Sequence, residues 1–353
     1  MTSRSNRRRP SRPSHALPRL RLLGLLAVVA LAGCGDKEAA TGGPAQTERL
    51  DLVLDYFPNA DHAGIYAAIG RGDFRRAGLE VTPRTPSDPA APLKLLAAGR
   101  ADLAISYEPE LLLARDKGLR LVSVGALVQK PLTSIISLGD KPITRPGQLE
   151  GKTVGTAGIP YQEAYLDTIL EKVGVDPERV KRVNVGFNLT PAMLSRRVDA
   201  TLGSFWNYEG VELERRRKRP SIIRVERVGV PTYNELVIVA REDYIRENGP
   251  TVRRFLQAVA TGTRALRADP ETGVAPLLKA NPDLERGLQL ASVKRTLPVF
   301  FPEDEERPFG YQDPDEWRTY ARWMVENRLL EKEGDSRALT NEFLPGEGVG
   351  EGE

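Results

Sequence analysis

Four short segments gather side chains able to hold a flat, polar small molecule. Phe205-Trp206-Asn207-Tyr208-Glu209 joins rings to an amide and a carboxylate. A planar ligand stacked on Trp206 or Tyr208 buries area, while Asn207 and Glu209 read its edge. A carboxylate suits an amino-substituted pyrimidine, accepting from the exocyclic amine and facing a protonated ring nitrogen. The same rings also serve as ordinary packing between elements, and both readings stand at this point. Tyr56-Phe57-Pro58-Asn59-Ala60-Asp61-His62 offers Asn59 and His62 as donors to a ligand oxygen. Asp61 and His62 equally suit the start of a helix. Ser106-Tyr107-Glu108 and Thr232-Tyr233-Asn234-Glu235 repeat the mixture, with Glu108 also suited to the positive end of a following helix. The turn Gly155-Thr156-Ala157-Gly158, followed by Tyr161, presents backbone N–H groups to an anion or amide.

Most catalytic chemistries are missing. The histidines are His15 and His62, and the one cysteine is Cys34, so neither a multi-histidine metal centre nor a disulfide framework is expected. There is no phosphate-binding loop, dinucleotide fingerprint or G-x-S-x-G elbow, and no nucleophile stands at an evident spacing from a base. No cofactor is implied. The candidate segments carry more carboxylates than Lys or Arg, which disfavours a phosphorylated ligand. Arg215–Arg219 (RRRKR) reads as a solvated helix end.

These segments need a frame that holds them together. RLDLVLDY (49–56), LEVTPRTP (79–86), ADLAISY (101–107) and LRLVSVGAL (119–127) read as strands. Helices are expected between them over 65–78, 87–100 (starting at Ser87 or Asp88) and 108–117. Prolines at 131, 142 and 146 break this alternation and mark a crossover. Strands at 151–158, 179–187 and 200–205 then alternate with helices at 161–174, 188–200 and 210–217. YNELVIVARE (233–242) reads as a returning strand, followed by helices at 250–268, 270–280, 285–295 and 313–332. The expected fold is therefore α/β with two lobes, mostly parallel sheets flanked by helices, the second lobe (136–235) inserted into the first (49–135 and 236–335). Residues 336–353 read as a flexible tail. Ligands of such sheets bind beyond the carboxyl ends of strands, and that rule selects the loops at 56–62, 106–108, 156–161, 205–209 and 231–235.

The N-terminus reads as an address. The chain has 353 residues and a formal charge of +3, but residues 1–33 hold seven arginines and no acid, so without them the charge falls to −4. The basic balance is thus no sign of nucleic acid binding. Arginines precede an apolar run at 22–33, as in a signal peptide, and the run is too short to span a membrane stably. Leu31-Ala32-Gly33-Cys34 resembles a bacterial lipobox, which implies lipidation of Cys34, a tether over 34–48 and an extracytoplasmic, membrane-anchored protein.

LDYFPNADHAGIYAAIGRGDF, SDPAAPLKLLAAGRADLAISYEPE, FWNYEGVEL and NELVIVA resemble the ThiY-type substrate-binding lipoproteins of ABC importers, within the thiamin-pyrimidine-synthase-like periplasmic binding proteins. The resemblance spans roughly residues 49–330. It implies a type II periplasmic-binding-protein fold and a thiamin pyrimidine precursor, N-formyl-4-amino-5-aminomethyl-2-methylpyrimidine or a close analogue, as ligand. It further implies a permease partner with a separate ATPase. On that resemblance Glu209 meets the aminopyrimidine edge. Trp206 and Tyr208, with Tyr56 or Tyr107, stack on the ring, and Asn59 and His62 add polar contacts. Tyr56 stands where the family often has Trp, and relatives on this scaffold bind other flat rings, riboflavin among them. The fungal thiamin-pyrimidine synthase shares the first motif and consumes its own histidine, and His62 lies in the matching segment. This chain lacks that enzyme's cysteine-rich motif and carries a lipobox, so the binding role is expected.

Overall fold

The computed structural model describes residues 47–332 and 336–346. The expected signal peptide, Cys34 and nearly all of the tether lie outside the described residues. The strands are β1 (Glu48–Val53), β2 (Leu79–Arg84), β3 (Leu103–Ser106), β4 (Leu121–Val128), β5 (Thr133–Ser137), β6 (Thr153–Thr156), β7 (Lys181–Asn184), β8 (Ala200–Phe205), β9 (Ser221–Arg224) and β10 (Leu236–Arg241). The helices are α1 (Ala63–Arg71), α2 (Asp73–Arg76), α3 (Pro92–Ala97), α4 (Glu108–Asp116), α5 (Pro160–Lys172), α6 (Leu189–Leu194) and α7 (Glu209–Arg215), then α8 (Glu242–Ala268), α9 (Glu271–Ala280), α10 (Arg286–Thr296) and α11 (Pro314–Glu326).

Two five-stranded sheets form the two lobes, ordered β2-β1-β3-β10-β4 and β7-β6-β8-β5-β9. In each, four strands run one way and a fifth runs against them: β10 lies antiparallel between β3 and β4, and β5 between β8 and β9. Each lobe thus holds the strand by which the chain has just crossed from the other. All eight residues of β4 are buried although it ends the sheet, as expected of an apolar run covered on both faces. Helix α1 lies so close to α8 that a Cβ on Gly262 would strike the Gly64 carbonyl and the Ala68 nitrogen. Glycine there is what lets the two backbones touch.

The structure corrects several expectations. Strands β5 and β9 were not foreseen, and because β5 belongs wholly to the second sheet, that lobe starts at Thr133 and not at 136. The sheets are accordingly mixed, since each crossing strand enters antiparallel. The third helix starts at Pro92, with proline in its first turn. Asp88 caps only a turn, its Oδ1 accepting from Ala90 N at 3.0 Å. Helix α8 begins at Glu242, eight residues early, because the chain tolerates Pro250 by leaving helical geometry at Asn248 (φ −125°). The expected tail is docked over its described part. Thr340 N donates to the Ser123 carbonyl at 2.8 Å, and Phe343 and Leu344 are buried. Among the described residues no helix is long and apolar enough to cross a membrane.

Candidate ligand-binding site

Five strands of the two sheets, β1, β3, β6, β7 and β8, deliver the segments that line one cleft. It is narrow and is lined by Asp55, Tyr56, Asn59, Asp61 and Tyr107 from the first lobe, and by Ala157, Ile159, Gln162, Leu189, Gly203, Phe205, Tyr208 and Glu209 from the second. Three carboxylates line it, and no lysine, arginine or histidine does.

The first loop is rigid by construction. Asn59 caps a short 3-10 turn, its side-chain oxygen accepting from Asp61 N at 2.8 Å. His62 closes the turn: its Nδ1 accepts from Asn59 N at 3.2 Å. The remaining ring nitrogen, Nε2, must therefore carry the proton and donate to Asp55 Oδ1, 2.8 Å away. The other Asp55 oxygen accepts from the Tyr107 hydroxyl at 2.7 Å. Asp55 is thus fixed by two buried donors while facing the cleft. His62 is fully buried, and both ring nitrogens are engaged. It positions the loop and does not line the cleft.

Glu209 opens α7 with one oxygen accepting from Phe205 N at 2.7 Å. Burial pushes its carboxyl up to about 8, and neighbouring Glu212 and Asp61 add to the effect of burial. Burial likewise raises Asp61 to about 6, opposed by His62 and by the bond from Asn207. Tyr56 is driven above its ordinary value by burial and by Glu209. Its ring meets Phe57 and Phe187 at 4.6 Å centroid distances, and Phe57 meets Tyr208 at 6.1 Å. This aromatic group joins the lobes at the mouth of the cleft. Gly203 lies at the floor with φ +100°, where any Cβ would collide with the Gln162 side chain.

Other expected contact residues serve the frame. Trp206 does not face the cleft: Nε1 donates to the Pro131 carbonyl at 3.0 Å and the Arg224 guanidinium covers its ring at 4.0 Å. Tyr161 packs between Tyr107 and Tyr165. Ser106 is buried at the end of β3 outside the cleft lining. Glu108 accepts from Asn234 N at 2.7 Å, and the Asn234 side chain donates to the Gln129 carbonyl and accepts from Trp317 Nε1. Both therefore tie down the crossing segment. Asn207 is fully buried outside the lining and reaches across to Asp61. Glu235 accepts from Leu132 N, Thr133 N and Oγ1, and the Tyr233 hydroxyl, which staples the two crossing segments to each other.

Comparison with known proteins now has a structure to attach to. The profile described as "NMT1/THI5 like" matches residues 59–273. The chain belongs to that family. A formylaminopyrimidine-binding protein of Halalkalibacterium halodurans is 34% identical over 312 residues, 87% of this chain and 93% of that one. A 4-amino-5-hydroxymethyl-2-methylpyrimidine phosphate synthase of Legionella pneumophila is 26% identical over 84% of this chain and 92% of its own. Among solved structures, the periplasmic aliphatic sulphonate binding protein SsuA of Escherichia coli superposes with a TM-score of 0.62 at 19% identity, covering 82% of this chain and 96% of that one. This last likeness concerns the fold, and it agrees with the periplasmic-binding-protein architecture expected from the sequence.

Within this NMT1/THI5-like chain, Tyr56, Asn59, Tyr107, Tyr208 and Glu209 meet at the cleft, as their places at strand ends allowed. Asp55, Asp61, Gln162 and Leu189 also line it and were not among the expected contacts. One signal for Asp55 was available: an acid closing the otherwise apolar run LVL.

Proposed function

We propose that this protein is the extracytoplasmic substrate-binding component of an ABC importer. It captures a thiamin pyrimidine precursor, N-formyl-4-amino-5-aminomethyl-2-methylpyrimidine or a close analogue, between its lobes. The observation that carries this reading is the lining of the cleft: three carboxylates, aromatic walls and no cationic side chain. Such a lining accepts hydrogen bonds from amines and from a protonated ring nitrogen. It repels sulfonate, nitrate and phosphate groups, because anions in a buried site need donors or positive charge. The name of the Halalkalibacterium relative, which the chain covers almost end to end, supports the same ligand class. Glu209 meets the aminopyrimidine edge, and Tyr56, Tyr107 and Tyr208 flank the ring.

Binding rather than catalysis is the role the site supports. A consumable histidine must reach substrate, and His62 is sealed from the cleft with both nitrogens engaged. A permease with a separate ATPase is the partner, and lipid on Cys34 is the membrane anchor.

Calorimetry and thermal shift with the formylaminopyrimidine, 4-amino-5-hydroxymethyl-2-methylpyrimidine, riboflavin, taurine and nitrate test the reading. A true ligand at a thousand times its Kd stabilises the fold by about 4 kcal/mol. The aminopyrimidines are expected to do so and the anions are not. Stabilisation by taurine or nitrate alone would overturn the assignment.

A further inference from the structure

One carboxylate in the cleft is shared between a lobe contact and an empty direction. Asp61 is 1% exposed and belongs to the first lobe. Its Oδ1 accepts from Asn207 Nδ2 of the second lobe at 2.6 Å. The second N–H of the same amide goes to Thr296 Oγ1, also at 2.6 Å. Thr296 has only one hydroxyl hydrogen, and the Ser292 carbonyl lies 2.7 Å away to take it. Thr296 is therefore an acceptor towards Asn207, and its hydroxyl lies 3.4 Å from Asp61 Oδ1, a longer alternative to the Ser292 carbonyl. Two buried atoms of the group are without a partner: Asn207 Oδ1, on a residue outside the cleft lining, and Asp61 Oδ2, on a residue that lines the cleft. The Tyr56 hydroxyl, on the same wall, is also buried and unpartnered. Buried polar atoms in folded proteins are overwhelmingly paired, so an orphan facing a ligand cleft marks where a ligand atom belongs.

We propose that Asp61 is a specificity-determining residue that links ligand recognition to lobe contact: Oδ1 holds Asn207 across the cleft while Oδ2 accepts a hydrogen bond from an N–H of the bound ring compound. The ligand class rests on the function proposed above; the link to Asn207 rests on the geometry alone. A ligand that presents an oxygen lone pair here meets a second acceptor and is rejected, because a site built for a donor penalises its absence. Below about pH 6, where burial favours the neutral acid, a ligand that presents an N–H draws the carboxyl to its ionised form, and an ionised acceptor binds the Asn207 amide more strongly. The correct ligand thereby tightens a bond it never touches.

Two variants of the full-length protein in mild detergent separate the halves of this idea. Asp61→Asn keeps an oxygen for only one of two donors, so recognition or lobe contact must fail on one side. Asn207→Ala removes the lobe contact and leaves every cleft-lining side chain in place. The readouts are Kd for the formylaminopyrimidine by calorimetry and hydrogen exchange of the 205–209 amides with and without it, with near-UV circular dichroism to verify folding. Each variant is expected to bind about 10- to 100-fold more weakly. Ligand-induced protection at 205–209 is expected in the unmodified protein and lost in Asn207→Ala. The double variant is expected to lose little beyond either single one. Unchanged affinity and protection in Asn207→Ala, or losses that multiply in the double variant, would overturn the coupling. If the unmodified protein ignores the formylaminopyrimidine, the ligand class falls. Faster exchange at 205–209 in unliganded Asn207→Ala then still supports the lobe contact, and unchanged exchange overturns that as well.

Discussion

Replacing Glu209 with glutamine should make the empty protein more stable and the liganded one weaker. The carboxyl is buried and raised to about 8 from an ordinary value of 4.5. The native state therefore holds this proton more tightly than the unfolded chain does, and stability falls as pH rises from about 4.5 to about 8. At 1.36 kcal/mol per pKa unit, the ionised carboxylate costs the unliganded fold on the order of 3–5 kcal/mol above pH 8. Glutamine is nearly isosteric, keeps an oxygen for Phe205 N, and carries no charge to desolvate. At about 2 °C per kcal/mol for a chain this large, Glu209→Gln should raise Tm by roughly 6–10 °C at pH 9. At pH 5, where both side chains are neutral, the gain should fall below about 2 °C. Ligand reverses the sign. A hydrogen bond to a charged group is worth about 1.5–3 kcal/mol, so the Kd for the formylaminopyrimidine should rise about 10- to 100-fold. Paired thermal scans at pH 5 and pH 9, with calorimetry at neutral pH, measure both effects. A Tm difference independent of pH, or a Kd changed less than twofold, would refute the reasoning.

Three further outcomes follow from the same geometry, and a fourth from the lipidation proposed for Cys34. Trp206→Phe should lower stability by about 1 kcal/mol through loss of the bond to Pro131 and leave ligand affinity within about threefold, as urea unfolding and calorimetry would show. His62→Ala should cost about 2–3 kcal/mol of stability, since it removes two buried hydrogen bonds and releases Asp55; ligand binding should weaken with it. Gly262→Ala should destabilise by about 1–3 kcal/mol by forcing α8 off α1, with no effect on Kd in the protein that remains folded. Cys34→Ser should move the protein from the membrane fraction to the soluble fraction on cell fractionation.

How legible the fold was depended on element length. Long apolar runs such as LVSVGALV and LVIVA declare themselves as buried strands. Strands β5 and β9 hold five and four residues, between prolines or after an arginine run, and gain their order only from β8 and from each other. The site was legible as a place, because strand order dictates which loops converge. Individual roles were not. Trp206 and Asn234 have the side chains of ligand contacts, yet their polar atoms are consumed by Pro131, Gln129 and Trp317. Nothing local in the sequence distinguishes a tryptophan that faces a cleft from one that faces a hinge. Asp61 is the reverse case: a residue that reads as a cap leaves one oxygen free for other work.

The crossing strands constrain how this chain is born. Among the described residues, β4 finds a strand partner only in β10, whose last residue lies 120 positions beyond the start of β4 (Arg241 against Leu121). An emerging chain therefore holds β4 as a bare apolar edge until the whole second lobe and its return strand have been made. Early domain-by-domain folding on the ribosome is denied to the first lobe, and closure of so long a loop is slow. On the extracytoplasmic role proposed above, the chain is threaded unfolded through a membrane before it works, and that delay would keep the translocation-competent state open for longest.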